Sequence, residues 1–297
     1  MDANQLKGVF SPIVTVFDET GNIRLQDMIG NILRYNETPL SGYMPLGSNG
    51  EFMSLTDDEA FLVLDTVGEH KLPEKVMVGG CGRESAYKTI RFIKAAALHG
   101  LDYAFLLPPH YFLSRMDDEA LLRYYLEVAE HSPIPLVVYN APKFAAGLTI
   151  SPQVMHQLAA HDNIAAIKNS SMVHNRPYMQ AVAGLGTQVL AGNILSFFDG
   201  LAEGAAGAVL STACYLPEAC CEIYHLFQKG KTGAARTLHA RLTSLSAASV
   251  GPMGVAGVKC AMMLRGYCGG HVRNPLRDAT EDERALIMRC LSQNELF

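Results

Sequence analysis

Ile164-Ala165-Ala166-Ile167-Lys168 is the stretch on which the reading of the fold turns. It is a short apolar run, without polar alternation, closed by a lysine. Such a run reads as a strand buried on both faces, as in a parallel sheet. The pattern recurs on both sides, at residues 9–16, 42–45, 75–78, 103–107, 136–139, 188–191 and 208–210, which with 164–168 makes eight strands. Helical patterns lie between them, the clearest at 57–70, 84–98, 118–131, 177–183 and 217–228. Thr56-x-x-Glu59 is a capping box, in which each side chain satisfies a free backbone N–H of the first turn. Ser151-Pro152 sets a cap residue before a proline suited to the first helical position. Gly100, Gly184, Gly186 and Gly230 close several helices.

Eight β/α units in succession predict an α/β fold, a closed (β/α)8 TIM barrel rather than an open doubly wound sheet. Residues 1–230 are read as the catalytic barrel. Residues 231–297 are read as a C-terminal helical extension packed on it, with helices near 234–248 and 255–264 and a third opened by the capping box Thr280-x-x-Glu283.

Composition narrows the function classes. The chain has 297 residues, a net charge of −5 and no block of like charges, so nothing argues for nucleic acid or an anionic membrane. No basic leader with a cleavage site is visible, and no run approaches the ~18 apolar residues of a membrane helix, so a cytoplasmic protein is expected. The seven cysteines are odd in number and lack C-x-x-C spacing, which reads as buried, reduced thiols. Gly79-Gly80-Cys81-Gly82 does not match a dinucleotide fingerprint, and the ten histidines show no metal spacing, so neither cofactor nor metal is expected.

In a barrel of this kind the active site lies at the C-terminal ends of the strands. Lys168 stands there, closing the sixth run. Burial disfavours the charged form of an amine and leaves a nucleophile able to attack a ketone; the alternative is a lysine that snorkels to solvent. Tyr139 ends the neighbouring run, either as a proton relay or as a core tyrosine with a satisfied hydroxyl. Ser48 and Asn49, between Gly47 and Gly50, form either an anion-binding nest of successive N–H groups or an ordinary turn. His110 stands after the fourth run, where it either touches substrate or is a plain loop residue.

Taken together, Gly8-x-x-x-Pro12-x-x-Thr15, Gly47-Ser48-x-Gly50-Glu51, Tyr139-Asn140-x-Pro142 and Ile167-Lys168 resemble the dihydrodipicolinate synthase / N-acetylneuraminate lyase family of class I aldolases, over nearly the whole chain. The resemblance implies that Lys168 forms an imine with pyruvate or another 2-oxo acid and that Tyr139 relays protons. It also implies that Ser48 and the backbone of Asn49 hold the carboxylate, and that Gly192 and Val209 line the pocket. Tyr111 matches a tyrosine commonly lent to a neighbouring subunit, which implies a homo-oligomer, a tetramer by family habit.

Departures narrow the substrate. Dihydrodipicolinate synthases usually carry Thr-Thr at Ser48-Asn49, and an arginine after the Tyr-Asn-x-Pro motif where Phe144 stands here beside Lys143. An apolar ring cannot replace a charge-assisted carboxylate contact. Phe52 after the glycine loop, Lys168-x-Ser170 and Gly269-Gly270-x-x-Arg273-x-Pro275-Leu276 are most similar to 4-hydroxy-2-oxoglutarate aldolases, although Asn169-Ser170-Ser171-Met172 replaces a more glycine-rich stretch. On the same scaffold a sugar-acid or sialic-acid-type lyase, a dehydratase or a hydratase-aldolase would use the same lysine. A non-catalytic 2-oxo acid binder would keep Ser48 but would be expected to have lost Lys168 or Tyr139.

Overall fold

Every run read as a strand is a strand in the computed structural model, which describes residues 6–171 and 174–295. Met172 of the loop after Lys168 and the first five residues lie outside the described residues. The strands are β1 (Gly8–Ser11), β2 (Gly42–Tyr43), β3 (Val76–Gly80), β4 (Tyr103–Leu106), β5 (Leu136–Asn140), β6 (Ile164–Asn169), β7 (Gln188–Ala191) and β8 (Gly207–Val209). They follow one another in order and close into a barrel, with parallel pairing at β1–β2 and from β3 through β8. The first strand stops well short of residue 16, because Pro12 has no N–H to give to a ladder.

The helices are α1 (Leu25–Asn36), α2 (Asp57–His70), α3 (Ala86–Ala96), α4 (Asp118–His131), α5 (Pro152–Leu158), α6 (Arg176–Ala181), α7 (Phe197–Glu203), α8 (Pro217–Gln228), α9 (Thr232–Leu245), α10 (Gly251–Leu264) and α11 (Glu281–Gln293). Both expected capping boxes form, at Thr56/Glu59 and Thr280/Glu283, and Ser151 accepts from the Val154 N–H. The sequence reading did not mark α1 and α7. Arg24 is not a cap residue type, so α1 has no start signal; Ser196 is one, but its hydroxyl makes no cap bond to α7.

Contacts divide the chain into two compact units. One joins the segment ending at Gly8 to Val76–Val209, and its core includes Val78, Ala104, Val138, Ala166, Ile167 and Leu190. The other joins Val9–Lys75 to the chain from Leu210 onward, and its core includes Phe10, Tyr35, Tyr43, Leu64, Leu242 and Met262.

The tail corrects one expectation. From Thr232 to Leu264 the helix is long and apolar enough, by length and composition, to cross a membrane, with a window of mean hydropathy 1.4. Its hydropathy comes from Ala, Val and Met spread among small polar residues, so no unbroken apolar run shows in the sequence. A π-helical turn at Ser246–Val250 and non-helical dihedrals at Gly254 interrupt it, and it buries Lys259. All seven cysteines are free thiols; six are buried, but Cys268 is exposed, against expectation.

Candidate active site

All six residues of β6 are buried, Lys168 included. At 5% exposure this lysine does not snorkel to solvent. In the parallel β5–β6 pair, Lys168 stands opposite Tyr139, so the two side chains leave the sheet on the same side. The amine lies 4.3 Å from the centre of the Tyr139 ring and 5.0 Å from that of Phe105. Those two rings pack with centres 4.3 Å apart. The nucleophile candidate therefore sits against two aromatic faces, with a phenol beside it. The sequence reading had Phe105 only as one more apolar residue of a strand.

A polar network holds the end of β6. Asn140 Nδ2 donates to Asn169 Oδ1 (3.1 Å) and to the Tyr178 hydroxyl (2.7 Å). Asn169 Nδ2 donates to Asn175 Oδ1 (3.1 Å), and the Ser171 hydroxyl donates to Asn169 Oδ1 (2.7 Å). Tyr178 donates in turn to the Ile150 carbonyl at 2.8 Å, and burial pushes its phenol above its ordinary range, keeping it a neutral donor. Buried amides are tolerated only when satisfied in this way, and a satisfied network fixes one geometry. The sequence reading missed this network; its one local trace is the asparagine that follows each of Tyr139 and Lys168.

Gly192 belongs to the same strand end. Its N–H donates to the Asn169 carbonyl (2.8 Å), and the Ser170 hydroxyl donates to the Gly192 carbonyl (3.1 Å). A Cβ on Gly192 would fall 2.7 Å from the Asn169 carbonyl oxygen, so close backbone approach demands glycine here. Val209 is buried at the end of β8.

In the other unit, the loop after β2 is tightly wound. Leu46 and Glu51 both have positive φ (58° and 52°), flanking Gly47, Ser48, Asn49 and Gly50. The Glu51 N–H donates to the Ser48 carbonyl (3.2 Å), and the Thr15 hydroxyl donates to the Gly50 carbonyl (2.7 Å). Asn49 is buried, with its amide 3.7 Å from the Cys214 sulfur. The Ser48 hydroxyl is buried without a hydrogen-bond partner among the described residues. An orphaned hydroxyl is costly unless something else satisfies it.

Other candidates stand apart. Tyr111 is 78% exposed, edge-on to the ring of Phe112, which is also exposed. Its N–H and that of His110 both donate to the Glu84 carboxylate (2.9 Å each), so Glu84 pins this tip. His110 Nδ1 lies 3.0 Å from the Pro108 carbonyl oxygen of its own loop and 3.3 Å from the Glu84 carboxylate, which occupies the histidine. Phe144 ends a short 3-10 turn after β5 and is half-exposed, with the Lys143 amine 5.9 Å from its ring.

The sequence profile of the dihydrodipicolinate synthetase family matches residues 5–294. A 4-hydroxy-tetrahydrodipicolinate synthase of Methanothrix thermoacetophila is 30% identical, over 97% of this chain and 96% of that protein. A probable mitochondrial 4-hydroxy-2-oxoglutarate aldolase of Emericella nidulans is also 30% identical, over 97% of this chain and 94% of its own length. Among solved structures, a prophage protein of the dihydrodipicolinic acid synthase family from E. coli K12, in complex with pyruvate, superposes with a TM-score of 0.91 at 25% identity, covering 98% of this chain and 99% of its own. The chain belongs to the dihydrodipicolinate synthetase family of aldolase-type lyases.

Proposed function

We propose that the protein is a class I aldolase that cleaves 4-hydroxy-2-oxoglutarate through an imine on Lys168. The observation that carries this reading is the buried Lys168 amine, 4.3 Å from the ring of Tyr139, its register partner. In this reading the amine adds to the 2-oxo carbon and water leaves, giving a protonated imine. The bond between the third and fourth carbons then breaks, and its electron pair moves into the imine to give an enamine. Tyr139 relays the proton of the 4-hydroxyl, glyoxylate departs, and protonation of the enamine followed by hydrolysis frees pyruvate. Ser48 and the Asn49 backbone hold the substrate's first carboxylate, which gives the orphaned Ser48 hydroxyl its partner. Gly192, Val209 and Ser170 line the pocket. The pyruvate-bound E. coli relative and the 30% identical Emericella aldolase support the substrate class.

At the position where synthases usually place an arginine, Phe144 offers no charge, which counts against dihydrodipicolinate synthesis; the far carboxylate of 4-hydroxy-2-oxoglutarate is then held by groups other than Phe144. The exposed Tyr111 fits a homo-oligomer, proposed as a tetramer, in which this tyrosine serves a neighbouring subunit. The deciding assay couples pyruvate release to lactate dehydrogenase across a panel of 4-hydroxy-2-oxo acids, with pyruvate plus aspartate semialdehyde as the synthase arm. 4-Hydroxy-2-oxoglutarate should lead the panel in kcat/KM by about tenfold or more. Faster turnover of a sugar acid or of the semialdehyde would overturn the assignment of substrate.

A further inference from the structure

The imine chemistry leaves two features of the sequence unused, the tail motif Gly269-Gly270-x-x-Arg273 and the buried Lys259 of α10. Both converge on one carboxylate. Lys259 Nζ lies 2.6 Å from Glu51 Oε1, with both side chains 2% exposed. The Arg273 N–H donates to Glu51 Oε2 at 2.8 Å. The Lys259 amine also donates to the His271 carbonyl (2.5 Å), and the Arg273 guanidinium grips Glu59, the Ser54 carbonyl and the Gly21 carbonyl. The two glycines make this possible. A Cβ on Gly269 would fall 2.2 Å from the Lys259 carbonyl oxygen, and one on Gly270, at φ 65°, would fall 2.6 Å from the Phe17 carbonyl oxygen.

Glu51 is the last residue of the loop carrying Ser48 and Asn49, and its backbone is left-handed, a conformation that a glutamate adopts only when its surroundings impose it. Stability is a poor explanation for the ion pair, since the cost of desolvating two charges offsets much of their attraction. Burial indeed pushes the Lys259 amine below its ordinary pKa range, against the opposing pull of Glu51. What the pair does supply is direction, because both carboxylate oxygens are held from fixed points on the tail.

We propose that Lys259 and Arg273 are positioning residues that clamp Glu51 in its left-handed state and thereby hold Ser48 and Asn49 in the form that binds the carboxylate of a 2-oxo acid. This role rests on the reading of Ser48 and Asn49 given above.

The test is the pyruvate concentration that gives half-maximal borohydride-trapped adduct on Lys168. Lys259→Met should raise it about tenfold or more, while the adduct at saturating pyruvate stays on Lys168. The double variant Glu51→Gln/Lys259→Met leaves no unpaired buried charge, so it guards against simple misfolding. It should regain thermal stability yet keep the raised half-saturation. Thr280→Ala loosens the tail elsewhere, by removing the capping box of α11, and should leave half-saturation at the wild-type value. A double variant with wild-type half-saturation, or an equal rise in Thr280→Ala, would overturn the clamp and leave the aldolase reading intact. A wild-type protein that gives no adduct at any pyruvate concentration would overturn both.

Discussion

Replacing Gly192 by alanine probes the packing that holds the end of β6. The added Cβ would fall 2.0 Å from the Ser170 hydroxyl, 2.7 Å from the Asn169 carbonyl oxygen and 2.8 Å from the Asn169 carbonyl carbon. The serine can rotate away, but only by giving up its hydrogen bond to the Gly192 carbonyl, worth about 0.5–1.5 kcal/mol. The Asn169 backbone cannot rotate away, and such overpacking costs about 1–3 kcal/mol. The sum is about 1.5–4.5 kcal/mol, which for a chain of this size lowers Tm by roughly 2–7 °C. Asn169 follows Lys168 directly, so the shift should also misplace the amine and slow imine trapping by about a hundredfold. Gly186→Ala is the control: its φ of +78° strains any side chain, but nothing lies within 4 Å of the new Cβ. It should cost only about 1–2 kcal/mol and leave trapping unchanged. Urea melts and borohydride trapping of both variants decide the matter. A Gly192→Ala protein as stable and as reactive as the wild type would refute the argument.

Three further outcomes are expected. Tyr139→Phe keeps the ring beside Phe105 but loses the hydroxyl, so turnover should fall by about 10²–10⁴ while the pyruvate adduct still forms; steady-state kinetics and trapping on one sample separate the two. Thr280→Ala removes the capping box of α11 and should cost about 1 kcal/mol in a urea melt without touching KM. The Arg273 guanidinium holds the Glu59 carboxyl below its ordinary value of 4.5, so the stability Glu59 contributes is whole above that pH and drains away as pH falls through the lowered folded value. Glu59→Gln should therefore flatten the loss of stability with acid below about pH 4.5, and an unchanged acid limb in pH-stepped melts would count against the pairing.

What the sequence made legible follows from the range of the interaction involved. The eight parallel strands announce themselves because burial on both faces demands unbroken apolar runs, and α2 and α11 because their caps are local chemistry. Lys168 and Tyr139 stand out because each ends such a run. By contrast, α1 starts after Arg24, which is no cap residue, and the serine before α7 caps nothing. The partners of Asn140 and Asn169 lie on other elements, and the contact of Glu51 with Lys259 joins residues far apart in the chain. No periodicity encodes which distant groups meet. Gly269-Gly270-x-x-Arg273 was visible as a motif, but its use was not, because the glycines matter through backbone atoms that approach from elsewhere.

The central claim is an imine on Lys168, and reduction makes that bond permanent. The protein is incubated with pyruvate and borohydride, its intact mass is measured, and the modified peptide is mapped. A single adduct confined to Lys168 is the expected result, and it would leave only the identity of the departing aldehyde to determine. A folded protein that gains no mass with pyruvate or any longer 2-oxo acid would contradict the aldolase mechanism and favour a protein that binds 2-oxo acids without turning them over.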